Sequence, residues 1–111
     1  ISVIIRISND ITGGNLVKQF TAKEIFEAYE ESKAGGQALH VHSFNTTGHR
    51  LFARYPESAH LFDMDKERLI ATVKKLGVRV IKVEREGTFR QHIDLCGKPL
   101  EKAKSLCIQV A

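Results

Sequence analysis

The chain has no tryptophan, two prolines and only two cysteines in 111 residues. Each scarcity narrows the field. Cys96 and Cys107 cannot build the multi-bridge framework of a small secreted scaffold. Neither stands in a Cys-x-x-Cys pair, so a zinc ribbon is not expected. A domain of this length folds without a staple, and the two thiols read as free in a reducing cytoplasm. No apolar run approaches the roughly 20 residues that cross a bilayer, and no signal-peptide pattern appears, so no membrane partner is expected. There is no long polar tract, which argues against disorder. The chemistry-bearing fingerprints are missing too: no G-x-G-x-x-G, no G-K-[ST], and no legible Ser-His-Asp or Cys-His spacing.

What is present is an ordinary globular core. Ile, Val, Leu and Phe recur from end to end, as one domain over residues 1–111 requires. The chain opens on Ile1 rather than Met, which leaves open a trimmed start or a piece of a longer protein. Charge is uneven. The net formal charge is +4, and Arg50 onward holds thirteen of the 17 Lys and Arg residues but eight of the 13 acidic ones. Such a basic half suits an anionic partner, although solubility alone also accounts for it.

Along the chain, Ser2–Ser8 is rich in β-branched residues and reads as a strand. The Asn9–Asn15 turn and Leu16–Phe20 then suggest a hairpin's return strand. Thr21 and Glu24 form a capping-box pattern ahead of a helix to about Ala34, with Ala22, Ile25, Phe26 and Tyr29 as its apolar face. Gly35-Gly36 stops it. Gln37–Ser43 alternates as a strand, setting Ala38, His40 and His42 on one side and Leu39, Val41 and Ser43 on the other. Thr47 suits the N-cap of a short helix that Pro56 ends, and Pro56–His60 reads as a loop. Asp65 caps a helix from Lys66 to Leu76 with the stripe Leu69, Ile70, Val73 and Leu76. Val78–Arg85 and Thr88–Leu95 form a hairpin about Gly87, and Pro99 lies in the first turn of a last helix. The expected fold is α/β (or α+β): a small three- to five-stranded mixed sheet with helices packed on it and a C-terminal β-hairpin followed by a helix.

Three places carry candidate chemistry. The first is the strand end Ser43, Asn45, Thr46, Thr47, Gly48, His49 and Arg50. Hydroxyls, a flexible turn and a basic pair at a helix start suit a phosphate, because free N–H groups there carry positive dipole charge. Capping explains Thr47 but not His49 and Arg50, since basic residues are mildly unfavourable in a first helical turn. The second is a basic surface that includes Arg54, Arg79, Arg85 and Arg90. Arginine on a β-ribbon suits a nucleic-acid backbone, and salt-bridged solvation is the bland alternative. The third is the His-x-His of His40 and His42, two imidazoles on one strand face about 7 Å apart. With a third ligand such as His49, Asp63 or Asp94 they would hold a divalent metal; without one they are simply packed under a helix.

The reading that follows is a small basic domain binding a phosphate-bearing ligand such as nucleic acid or a phosphorylated small molecule, with no cofactor. The alternatives are a metal-dependent phosphoesterase or nuclease built on the His-x-His strand, and a protein-interaction or structural domain. A homo-oligomer stays open.

Overall fold

The computed structural model describes residues 17–42, 55 and 57–108. The first expected strand and its Gly-rich turn, the strand end Ser43–Arg50, and Arg54 lie outside the described residues. The elements are β1 (Val17–Phe20), α1 (Ile25–Lys33), β2 (Gln37–His42), β3 (Ser58–Phe62), α2 (Lys66–Lys75), β4 (His92–Cys96), α3 (Gly97–Ser105) and the two-residue strand β5 (Cys107–Ile108). They form one mixed sheet in the order β4-β3-β2-β1-β5, four main strands with β5 on an edge. β1 runs parallel to β2 and β5, whereas β2-β3 and β3-β4 are antiparallel. The mixed sheet, its helices and the closing strand-then-helix are those the sequence pattern implies. No helix among the described residues is long and apolar enough to cross a membrane.

Two layers of helix follow from the alternation of the strands. Leu39, Val41, Ala59, Leu61, Ile93 and Leu95 face one side and meet Leu69, Val73 and Leu76 from the α2 segment and Leu100 and Ala103 from α3. Fully burying one such leucine or isoleucine stabilises by about 1.5–3 kcal/mol, so this layer supplies most of the hydrophobic driving force. The opposite face carries Ala38 and Phe62 under Ala28 of α1, with Phe20, Ile25 and Tyr29 around them. Beyond that small apolar cluster the same face is polar.

Local chemistry sets the ends. The Glu24 carboxylate accepts from Thr21 N at 2.8 Å and from Thr21 Oγ1 at 3.1 Å, at the head of a 3-10 turn that leads into α1. Asp65 accepts from Arg68 N at 3.1 Å and caps α2. Gly35 ends the α1 segment with φ +96°, a conformation glycine takes without steric penalty.

Four expectations need correcting. The apolar stripe of α1 is Ile25, Ala28 and Tyr29 with Ser32, a run of three- and four-residue steps, and Phe26 is 72% exposed. Ala22 belongs to the 3-10 turn, so it never joins that helical stripe. Ser58–Phe62 is a central strand rather than a loop. Finally, β1 is no hairpin return strand: Val17 and Lys18 are paired with β2 on one side and β5 on the other, which leaves them no free edge. At the C-terminal hairpin the two arms meet through the Glu84–His92 pair, N–H to O=C in both directions at 2.8 and 3.0 Å. The ladder of β4 is made with β3, while Val78, Ile81 and Val83 pack on the core instead of extending the sheet.

Candidate functional site

The polar half of the α1 face is made of histidines. Register brings them together. His40 of β2 pairs with His60 of β3, His42 with Ser58, His60 with Asp94 of β4, and Phe62 with His92. Directly opposed residues on one face have Cβ atoms roughly 4.5–5.5 Å apart, so four imidazoles are forced into contact. The His40 and His60 rings stack at 6.0 Å, His42 lies 5.0 Å from His60, and His92 meets the His60 ring edge-on at 4.5 Å. His40 and His42 are each only 6% exposed. Burying polar groups in this number is costly unless each ring finds partners.

The partners are specific. His40 Nε2 donates to the Ala22 carbonyl at 3.1 Å, which assigns the proton to that nitrogen, and His40 Nδ1 is buried with no hydrogen-bond partner among the described residues. His42 Nδ1 lies 3.1 Å from Ser58 Oγ. His60 Nδ1 donates to Asp94 Oδ1 at 2.6 Å. His92 Nδ1 donates to the Arg90 carbonyl at 2.7 Å, and its Nε2 lies 3.3 Å from Asp94 Oδ1. These contacts push the titrating groups apart. Burial is the largest influence on His40 and lowers its pKa, with His60 and His42 adding to the effect against the opposing Ala22 carbonyl. Burial also opposes charge on His92, but Asp94 and the Arg90 carbonyl outweigh it and raise its pKa. Burial would raise the Asp94 carboxyl; the hydrogen bonds from His60 and His92 overcome that and hold it far below the usual carboxylate range.

Over this face lies a cavity of about 420 Å³. Its floor is the four histidines and Phe62, its wall is Ile25 and Tyr29 of the α1 helix, and Arg85 and Arg90 line it from the segment before β4. Arg90 is held in place, its guanidinium 5.1 Å from the centre of the Tyr29 ring. Arg85 sits at φ 55°, a left-handed conformation that costs a non-glycine residue about 1–2 kcal/mol. Two larger hollows lack comparable chemistry. One runs along β1 and the acidic α1 surface, and the other lies between Tyr55 and the start of α3.

The structure therefore sorts the candidates of the sequence. Ser43, Asn45, Thr46, Thr47, Gly48, His49 and Arg50 lie outside the described residues, as does Arg54. Arg85 and Arg90 share the histidine cavity, whereas Arg79 lines the hollow by α3. His40 and His42 do meet, but Asp63 is not with them. Its buried carboxylate accepts from Gln37 Nε2 at 2.9 Å and from Arg68. The companions of His40 and His42 are His60, His92 and Asp94. Their signal in the sequence was weak, because strand register alone unites them. No family model, curated protein or solved structure matches the chain.

Proposed function

We propose that this domain binds a phosphate-bearing ligand, a nucleic-acid strand or a phosphorylated small molecule, in the cavity over the histidine face. The observation that carries the reading is that Arg85 and Arg90 line one concave site. Guanidinium groups offer forked donors that match phosphate oxygens. The cavity volume falls in the range of about 300–1,000 Å³ typical of small-ligand sites. The expense of a left-handed Arg85 also supports it, since backbone strain collects where function needs a side chain aimed. A cytoplasmic setting goes with this reading, as Cys96 and Cys107 are both free thiols.

The test is a titration at low salt with inorganic phosphate, a mononucleotide and a short single-stranded oligonucleotide. Binding should weaken as salt rises, with a log–log slope of roughly −0.7 per phosphate contact for a single strand. The double variant R85A/R90A should lose at least about tenfold in affinity, since hydrogen bonds to charged groups are worth about 1.5–3 kcal/mol each. No binding of any of the three probes would sink the reading.

A second reading is metal-dependent hydrolysis of a phosphoester in the same cavity. The observation favouring it is the cluster of four imidazoles on the cavity floor. Hydrolysis of a phosphodiester that a chelator abolishes, and that added metal restores, is its expected signature.

A further inference from the structure

We propose that His40, His42 and His60 form a site for one transition-metal ion of the zinc class, with Asp94 and the Ala22 carbonyl as its outer shell. One ligand atom from each of the three histidines lies within 4.8 Å of the others. Three histidines with an open fourth position are a recognised zinc arrangement. Imidazole nitrogen selects Zn, Cu, Ni or Fe over Mg and Ca, which take oxygen ligands.

Outer-shell contacts mark His40 and His60 as ligands; His92 has one too, to the Arg90 carbonyl, so distance rather than the outer shell sets it apart. Histidines that bind metal use their other ring nitrogen to donate to a carboxylate or a backbone carbonyl. His60 does so to Asp94 through Nδ1, which turns Nε2 away from the carboxylate as the ligand atom. His40 does so to the Ala22 carbonyl through Nε2, and its buried Nδ1 has no hydrogen-bond partner among the described residues. An orphaned acceptor of that kind needs a reason, because nearly all buried polar atoms are paired. A metal supplies one.

A second grouping on the same face, His60, His92 and Asp94, also has ligand atoms within 4.8 Å of one another. It makes a poorer site. Two ligands at about 2.0–2.1 Å from a tetrahedral ion stand roughly 3.3 Å apart. His60 Nδ1 and Asp94 Oδ1 are 2.6 Å apart, which is the distance of a direct, proton-filled hydrogen bond. Asp94 is thus a positioning residue for His60, and His92 stands outside the coordination shell. Arg85 and Arg90 line the same cavity as the three histidines, which leaves room there for a water or a phosphate oxygen as the fourth ligand.

This inference does not rest on phosphate binding, and its experiment uses no phosphate. Chelator-treated full chain is titrated with Co²⁺, followed by its d–d absorption, and then with competing Zn²⁺. One equivalent should bind in a tetrahedral environment, and Mg²⁺ should not compete. H40A, H42A and H60A should each weaken Co²⁺ binding by more than about 100-fold, whereas D94N should weaken it by about 10–100-fold, the usual cost of an outer-shell loss. H92Q should change it little, and R85A/R90A should bind Co²⁺ like the parent chain, which separates this site from the phosphate reading. Circular dichroism checks each variant's fold. If a histidine variant fails to fold, the parent chain still decides: absence of stoichiometric Co²⁺ or Zn²⁺ binding overturns the site. So does a large loss in H92Q beside a small one in H40A, which would move the ion to the other grouping.

Discussion

The Asp63 carboxylate is gripped by a single guanidinium: Arg68 Nε lies 2.7 Å from Oδ2, and Arg68 Nη2 lies 2.7 Å from Oδ1. The pair joins the first turn of α2 to the end of β3. Gln37 Nε2 and Asp65 N complete the hydrogen bonding of the carboxylate at 2.9 Å each, and Asp63 is fully buried. Removing one partner of such a pair leaves an uncompensated buried charge, which costs about 3–5 kcal/mol. R68A should therefore lose stability on that scale, a large part of the about 5–15 kcal/mol available to a small domain. R68K, which keeps the charge but not the fork, should fall between the two. Urea unfolding checks this through the midpoint at constant slope. An R68A midpoint equal to that of the parent chain would show the pair to be worth nothing.

Gly97 opens α3 at φ +60°, and a Cβ built there lies 3.1 Å from Tyr55 Cε1. G97A therefore meets two penalties, one from the backbone and one from the ring. It should destabilise by about 1–2 kcal/mol or more. Adding Y55A removes the ring contact and leaves the backbone strain. The double variant should thus lose less than the sum of the two single losses, a coupling measured by a double-mutant cycle. Strict additivity would show that the ring yields freely.

Much of the fold was legible because its signals are local. Asp65 and Gly77 bracket the α2 region, and the stripe Leu69, Val73 and Leu76 repeats at helical spacing. The alternation of β2 was equally plain, and it set His40 and His42 on one face. β3 was not legible. Its Ser-Ala-His-Leu-Phe has no β-branched residue and follows a proline, so local preference points to a loop. Only pairing on both edges, with β2 and β4, makes it a strand. The site was hidden for the same reason. His60 and Asp94 meet across 34 residues of sequence, and no local pattern records a register. Asp63 reads as a ligand because carboxylates at strand ends can hold a metal; its true partner, Arg68, lies one helical turn and a cap away.

Arg85 offers a way to separate fold from function. Its φ of 55° is easy for glycine and costly for arginine. The residue lines the cavity. R85G should keep or slightly raise the melting temperature, gaining up to about 1 kcal/mol of relieved strain against the greater flexibility of the unfolded chain. The same variant should bind inorganic phosphate more weakly than the parent. A variant that loses stability and keeps phosphate affinity would mean that Arg85 serves the turn and not the ligand.

Cys107 predicts how the domain fails in alkali. Burial raises its thiol to about 12, and the S–H donates to the Ala103 carbonyl at 3.2 Å. The folded state thus holds the proton far more tightly than the unfolded chain, whose thiol titrates near its ordinary value of about 8.5–9. The sign follows from linkage. The stabilisation is complete below the unfolded value and is lost as pH climbs from there toward the folded value of about 12. Within that window the loss approaches about 1.4 kcal/mol per pH unit for a single group. C107A lacks the titration, so its unfolding midpoint should depend less steeply on pH between about 9 and 11 than that of the parent chain. In native protein near pH 8, Cys107 should react with a thiol reagent only as fast as the strand β5 opens, and at once in denaturant. Rapid native labelling of Cys107, read by peptide mass, would show that the thiol is not protected by burial.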